Sequence, residues 1–230
     1  MAKKKKTETK TEAPARTLVT LLLDRSGSMQ RVKTDTVGAI NAYRSRLKES
    51  GGNIRYSQVH FDSDTNGMEL EKVIVAQPVS ELGEMALEEF QPRGLTPLID
   101  AACTTIRAVA TSLKKAGKTE GTKVVIAIQT DGDENTSREN SWSDLKALIA
   151  EKEAEGWEFV FMGAGIDAYA QGQRMGIRAS NTLSYGTDKE ATEAAFAETA
   201  ANTALFASGA MRTMAYSDAQ KKAAGDRFGK

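Results

Sequence analysis

The chain has 230 residues, and its 31 basic and 31 acidic residues give a formal net charge of zero at pH 7. This length fits one α/β domain with extensions, and it is sufficient to bury a sizeable core. The zero net charge excludes a global basic field that would gather nucleic acid or a membrane surface. A single cysteine, Cys103, excludes an internal disulfide and suits a reducing compartment.

The two ends of the chain differ in composition from its middle. Residues 1–16 are rich in Lys, Thr and Glu, with an excess of four positive charges, and we expect a disordered basic tail. A weak contact with nucleic acid or an acidic partner is the alternative. Residues 209–230 are polar and punctuated by Gly, and we expect an extension that is partly disordered or partner-bound. The domain itself is then expected over residues 17–208.

Apolar strands alternate with amphipathic helices between these ends. Strands are predicted at 18–24, 54–62, 68–76, 123–131, 157–165 and 181–185. Helices are predicted at 31–49, 97–116, 141–155, 167–175 and 188–207, with a short one at 81–90. Most strands are continuous apolar runs, which indicates burial on both faces, whereas 68–76 alternates and follows a polar turn. The fold class is therefore α/β: a Rossmann-like, doubly wound, mostly parallel sheet of about six strands, with one antiparallel edge strand and helices on both faces.

Polar residues follow the apolar strands at the points where ligands bind in such sheets. Five of them form one candidate set: Asp24, Ser26, Ser28, Thr96 and Asp131. Asp24 and Asp131 end two strands, and two neighbouring carboxylates repel unless a cation lies between them. Hydroxyls and carboxylates without His or Cys form a hard oxygen set. The sequence therefore predicts one divalent cation, for which we expect Mg²⁺, with Ca²⁺ or Mn²⁺ as alternatives.

The same five positions resemble the metal-ion-dependent adhesion site (MIDAS) of von Willebrand factor type A (vWA) domains. The resemblance covers about residues 18–207, and all five positions carry the family's residue types. Four segments are similar to the intracellular branch found in bacteria and phages: LLLDRSGSM, PRGLTPLIDA, VVIAIQTDGDEN and WEFVFMGAGIDA. The resemblance implies that the three hydroxyls contact the metal directly and the two carboxylates do so directly or through water. One position stays open for a partner's Asp or Glu.

The function implied is a metal-dependent protein–protein interaction module, an adaptor or scaffold. A MoxR-type AAA+ ATPase is one partner class that the resemblance suggests. Asp133 and Glu134 would add negative charge at the rim of the partner site, with solvated loop acids as the alternative. Asp100 is expected to buttress a loop or cap a helix rather than bind metal.

Other functions fit the sequence less well. It lacks a P-loop and a GxSxG elbow, and its one histidine, His60, has no second histidine for a zinc site. We therefore expect no enzyme and name no catalytic residue. An RNA- or DNA-associated scaffold of a phage or bacterial complex is the first alternative, although the aromatic content is only 6%. A metal-dependent phosphohydrolase is the second, but no general base is evident beside the ion.

The location is also predicted from what the sequence lacks. Its apolar runs are too short for a transmembrane helix, and its basic start does not lead into an apolar signal segment. We expect a cytoplasmic protein of a bacterial cell or a phage-infected host, with no membrane partner.

Overall fold

The computed structural model describes residues 16–229, in which six strands form one sheet in the order β3-β2-β1-β4-β5-β6. The strands are β1 (Arg16–Asp24), β2 (Ile54–Asp64), β3 (Gly67–Pro78), β4 (Thr122–Thr130), β5 (Glu158–Ala164) and β6 (Thr182–Tyr185). Every neighbouring pair is parallel except β2 and β3. The predicted tail lies outside the described residues, apart from Arg16, which begins β1.

Helices cover both faces of this sheet. They are α1 (Lys33–Glu49), α2 (Leu98–Lys115), α3 (Trp142–Ala154), α4 (Ala168–Met175), α5 (Lys189–Ser208) and α6 (Asp218–Ala223). Ile40 of α1 and Phe196 of α5 belong to the core on one face, and Ile106 of α2 and Ile149 of α3 belong to the core on the other. The predicted fold class is confirmed. No helix among residues 16–229 is long and apolar enough to cross a membrane.

The central position of β1 explains why its sequence is mostly apolar. Leu21 and Leu23 of β1 point into the core beneath α1 and α5, whereas Leu18 and Leu22 point into the core beneath α2 and α3. Because successive side chains of a strand alternate between faces, a strand buried on both sides has no polar face.

Side-chain caps begin three of the helices that the sequence predicted, α3, α4 and α5. The Ser141 hydroxyl accepts a hydrogen bond from the Asp144 N–H at the start of α3, and the Asp167 carboxylate caps α4. The carboxylate of Asp188 accepts from the Ala191 N–H at 2.9 Å. Asp188 is therefore the N-cap of α5.

The short helix predicted at 81–90 is absent. Two single 3-10 turns, Val79–Glu81 and Leu87–Glu89, replace it. The Asn41 side chain of α1 binds the main chain of Met85 on both sides, donating to its carbonyl at 3.0 Å and accepting from its N–H at 2.7 Å. This contact uses the backbone groups that a helix would need, because a helical residue bonds within its own segment.

The C-terminal extension packs on its own domain as far as Gly229. Met214, Tyr216 and Ala224 are buried in the core beneath α1 and α5. The Tyr216 hydroxyl lies 2.7 Å from the Thr199 hydroxyl of α5. The expected extension thus completes the hydrophobic core on that face over its described length.

Candidate metal centre

Two parallel strands place the first candidate ligand at the edge of the sheet. β1 and β4 are neighbours, with Leu23 opposite Gln129, so Asp24 and Thr130 end at the same edge. The Asp24 side chain is fully buried. One carboxylate oxygen accepts from the Ser26 N–H at 2.6 Å, and the other accepts from the Thr130 hydroxyl at 2.5 Å. These bonds fix both the carboxylate and the turn that follows it.

A continuous chain of oxygen contacts joins three more predicted residues. The hydroxyl oxygens of Ser26 and Ser28 are 3.0 Å apart, and the Ser28 hydroxyl donates to Asp131 Oδ1 at 2.5 Å. The Arg31 guanidinium lies 3.5 Å from the other Asp131 oxygen, and its side chain is 76% exposed. Asp24 and Asp131 are therefore both buried, whereas Arg31 beside Asp131 is exposed.

Thr96 completes the set from the loop before α2. A Cβ placed on Gly132 would lie 3.7 Å from Thr96 Oγ1 and 3.8 Å from Ser28 Oγ, so both hydroxyls converge on Gly132. Asn135 fixes the main chain of Thr96, because its side-chain oxygen accepts from the Thr96 N–H at 3.0 Å. The structure thus brings all five predicted residues to one edge of the sheet, whereas metal binding itself stays a prediction.

A buried ion-pair cluster holds two of the loops together. Arg25 lies between two candidate ligands in sequence, yet its side chain is buried and pairs with Asp62 at 3.1 Å and with Glu71. Arg93, on the Thr96 loop, contacts the same Asp62 oxygen at 2.7 Å. The Arg93 N–H also donates to the Arg25 carbonyl at 2.8 Å. Asp62, near the end of β2, is therefore a common anchor for the Ser26–Ser28 loop and the Thr96 loop.

One glycine is required for the close approach of the Thr96 loop to β2. Gly94 has a φ of +66°, and a Cβ there would lie 1.7 Å from the Ser63 carbonyl oxygen. Its own carbonyl accepts from the Gly27 N–H at 3.1 Å. Any side chain at position 94 would push the Thr96 loop away from β2. It would clash with the Ser63 backbone, and a non-glycine residue is unfavourable at a positive φ.

Burial sets the electrostatics of the site. It raises the pKa of Asp24 from 3.8 to about 6, against the opposing hydrogen bonds from Thr130 and Ser26. The charge of Asp131 adds a smaller rise. The predicted repulsion between the two carboxylates is thus present, but desolvation is the larger cause. Either effect favours a cation at the site, since a positive charge stabilises both ionised carboxylates.

The donor chemistry fits a hard divalent cation. Within residues 16–229, no three or more His, Cys, Asp or Glu side chains form a group that could hold a metal ion. A cation at this edge would therefore use the hydroxyls of Ser26, Ser28 and Thr96 beside only two carboxylates. Such an all-oxygen set suits Mg²⁺, Ca²⁺ or Mn²⁺ rather than zinc.

Of the two expected rim acids, Glu134 faces inward. Its Oε2 accepts from the Ile99 N–H of α2 at 2.8 Å, and its Oε1 accepts from the Thr136 and Ser137 N–H groups at 2.8 and 2.7 Å. Both carboxylate oxygens of Glu134 thus accept hydrogen bonds from main-chain N–H groups of its own loop and of the start of α2. Glu134 therefore organises the loop rather than presenting a charge at the rim.

Asp133 and Asp100 have different surroundings. Asp133 is exposed and accepts a hydrogen bond from the Gln171 side chain at 2.9 Å, so it remains at the rim. The Asp100 carboxylate accepts from the N–H groups of Arg138 and Asn140 at 2.6 and 2.8 Å. The predicted role of Asp100 as a loop buttress is confirmed.

The sequence did not identify several residues that shape the site. Thr130, Asn135 and Arg31 contact candidate ligands, and the Arg25–Asp62–Arg93 cluster holds the loops. The position of Thr130, directly before Asp131, was the one usable signal. The Asp62 contacts join residues 37 and 31 positions apart in the chain, and no local pattern announces them.

Comparison with known proteins gave matches of fold only. No protein-family model and no curated protein sequence matches the chain. Proximal thread matrix protein 1 from the mussel byssus is 14% identical over 81% of this chain and 47% of its own, with a TM-score of 0.57. The pilus adhesin SpaC from Lactobacillus rhamnosus GG is 12% identical over 82% of this chain and 30% of its own, with a TM-score of 0.63.

A third solved structure covers more of its own chain. The manganese-loaded TRAP protein of Plasmodium vivax is 16% identical over 76% of this chain and 70% of its own, with a TM-score of 0.54. The chain spans less than half the length of the byssus protein and of the pilus adhesin. Identities this low establish similarity of fold and leave function open. The chain has the α/β, Rossmann-like fold of vWA domains.

Proposed function

We propose that this protein is a metal-dependent protein–protein interaction module, an adaptor or scaffold that binds a partner carboxylate through one divalent cation. Its ligands are Asp24, Ser26, Ser28, Thr96 and Asp131, which form a MIDAS. The main support is the chain of oxygen contacts, with 3.0 Å between Ser26 and Ser28 and 2.5 Å between Ser28 and Asp131. Neighbouring ligands of an octahedral Mg²⁺ are about 3 Å apart, so these oxygens need little movement to share one ion.

The charge of the donor set favours an acidic partner. Two carboxylates among five ligands leave the ion short of negative ligands, so an incoming Asp or Glu carboxylate is attractive. The exposed Arg31 adds a second positive group beside Asp131. Both features support a protein ligand that presents Asp or Glu, and a MoxR-type AAA+ ATPase is one partner class of this kind.

Two of the structural neighbours are consistent with a binding role. One is named as a pilus adhesin and another as a matrix protein of the mussel byssus, and the TRAP structure is described as manganese-loaded. These descriptions belong to those proteins. For this chain, the manganese in the TRAP structure supports the choice of Mn²⁺ as a probe.

The experiment uses the relaxation of water protons by protein-bound Mn²⁺. One Mn²⁺ per chain should hold an exchangeable water, and a short peptide with a central Asp should displace it and reduce the relaxation enhancement. The same peptide with Asn should have no effect, because it lacks the carboxylate charge.

Two neighbouring aspartates give a matched pair of variants. Asp131→Ala should abolish the enhancement, whereas Asp133→Ala, on the same loop, should retain it. The proposal fails if wild-type protein gives no stoichiometric enhancement, or if the Asp and Asn peptides act alike.

A further inference from the structure

A groove runs between β3 and the second half of α2, away from the metal loops. It encloses about 150 Å³. Its apolar lining includes Leu18, Val59, Leu70 and Val109, from all three strands and the helix that surround it. Thr20 of β1 also lines it and lies opposite Ser57 of β2, in the middle of both strands. The groove and the candidate metal centre are therefore separate features of the fold.

An irregular stretch of β3 forms one wall of the groove. The pairing with β2 runs Tyr56 with Gln77, then Gln58 with Ile74, then Val59 with Lys72, so β3 carries an extra residue at each of two steps. Such bulges bend a strand and occur near binding sites. Here the two bulges interrupt the regular pairing of β3 with β2 beside the groove.

Backbone strain is concentrated in the same stretch. Ala76 has a φ of +46° and is the one non-glycine residue with positive φ among residues 16–229. Its N–H donates to the Ser57 hydroxyl at 2.9 Å instead of to a strand carbonyl. Residues held in this conformation are unfavourable and cluster at ligand sites. Val75 beside it is 68% exposed, which places an apolar side chain at the rim.

Two buried hydroxyls lie on the floor of the groove. Thr20 of β1 and Thr105 of α2 are 1% and 5% exposed and line the groove. Within the described part of the chain, neither hydroxyl has a hydrogen-bond partner. Burying a hydroxyl without a partner is unfavourable. Two unpartnered hydroxyls, each shielded from water, therefore lie under a lining that is mostly apolar.

These features together define the ligand. We propose that the groove binds a small, uncharged molecule with an apolar ring and one hydroxyl group, which hydrogen-bonds to Thr20 or Thr105. The apolar walls favour the ring, and the two unpartnered hydroxyls favour a group that both donates and accepts. A cavity of about 150 Å³ holds benzene in another protein, so the size suits a single substituted ring. Lys72 lines the groove but is exposed, so its charge lies outside the floor.

The test is a titration of the full chain with phenol and with toluene, followed by backbone amide NMR shifts. Phenol should cause saturable shifts at Val75 and Ala76, with a dissociation constant of order 1 mM for a ligand of this size. Thr105→Val and Thr20→Val should each weaken phenol about fivefold, the effect of one lost hydrogen bond, and leave toluene unchanged. Thr111→Val, on the exposed side of α2, is the matched control and should bind phenol as wild type does.

A second variant tests the location independently of the hydroxyls. Ala108→Phe places a ring in the groove and should abolish the shifts caused by both ligands. The proposal is overturned if phenol gives no saturable shift at β3, if both threonine variants bind phenol as tightly as wild type, or if binding persists in Ala108→Phe. Chelation of metal should leave the phenol titration unchanged, which separates this site from the candidate metal centre.

Discussion

Two buried polar clusters lie on the same sheet, and only one has the character of a metal site. The first is the metal-loop cluster of the five candidate ligands. The second, which we call the β2 cluster, consists of Arg44, Tyr56, Gln58 and His60. In the β2 cluster the Gln58 side-chain oxygen accepts from Arg44 at 2.8 Å and from the Tyr56 hydroxyl at 2.7 Å. The Gln58 amide nitrogen lies 2.7 Å from the His60 ring.

The metal-loop cluster and the β2 cluster differ in how well their hydrogen-bond donors match their acceptors. Gln58 meets the donors of Arg44 and Tyr56 with an acceptor, and the ring of Phe90 packs against His60 at 5.4 Å. The metal-loop cluster instead combines two buried carboxylates, with the exposed Arg31 beside Asp131. Burial favours the neutral form of the titratable group in each cluster, because it raises the pKa of Asp24 to about 6 and lowers the pKa of His60 to about 3. Burial of polar groups is therefore common to both clusters, whereas the excess of carboxylate acceptors distinguishes the metal-loop cluster.

The largest expected effect separates metal binding from stability. Asp131→Ala should weaken Mn²⁺ binding at least about 100-fold, roughly 3 kcal/mol, because a charged ligand is lost. Isothermal titration calorimetry measures the affinity. Urea unfolding without metal should change by less than about 1 kcal/mol, since the variant removes a carboxylate that burial disfavours. A large loss of stability with unchanged affinity would make this cluster structural, like the β2 cluster.

The converse variant tests the β2 cluster. Gln58→Leu leaves the Arg44 guanidinium and the Tyr56 hydroxyl without their shared acceptor, and should cost about 2–3 kcal/mol of unfolding free energy. Urea unfolding measures this loss. Calorimetry under conditions where the variant is folded should give the Mn²⁺ affinity of wild type. If Gln58→Leu also weakened Mn²⁺ binding tenfold, the two clusters would not be independent.

Acid should affect the β2 cluster through His60. Burial, with the nearby charges of Arg25 and Arg44, lowers its pKa from 6.5 to about 3. The unfolded chain takes up the proton first, so stability present above pH 6.5 is lost as the pH falls toward 3, by about 1.4 kcal/mol per pH unit. The difference between wild type and His60→Gln in urea unfolding at several pH values isolates this slope. Parallel pH profiles would refute the assignment, since the opposite contribution of Asp24 cancels in the difference.

The smallest effect concerns the positioning of Asp24. Thr130→Val removes the hydroxyl that donates to Asp24 at 2.5 Å and should weaken Mn²⁺ binding about fivefold. Thr17→Val, at the other end of β1, is the control, because its buried hydroxyl has no partner among residues 16–229. Equal affinities for the two variants would show that the bond from Thr130 does not orient the ligand.

The sequence predicted the sheet and the candidate ligands because both follow local rules. Strands buried on both faces are mostly apolar, as in β1, and parallel strands end at one edge, which places Asp24 near Asp131. The helix predicted at 81–90 was wrong because Asn41, distant in sequence, binds the Met85 main chain. Tertiary contacts of this kind override local preference.

The supporting residues of the site were hidden for the same reason. Arg25 lies between two candidate ligands in the sequence, and arginine is a residue type that is mostly exposed in proteins. It is buried because Asp62 and Glu71, 37 and 46 positions away, pair with it. Glu134 was expected at the rim, but its orientation depends on the N–H groups at the start of α2. Contacts between distant segments decide these roles, and the local sequence pattern does not contain them.

Anomalous X-ray diffraction from crystals of the protein grown with Mn²⁺ would locate the ion itself. We expect one strong peak per chain at the edge of the sheet, within about 2.0–2.5 Å of the Ser26 and Ser28 hydroxyl oxygens and next to Thr96. We also expect a remaining coordination position that faces solvent beside Arg31. A peak elsewhere, such as at Asp62 and Glu71, or no peak at a Mn²⁺ concentration that saturates the calorimetric titration, would contradict the proposed metal site.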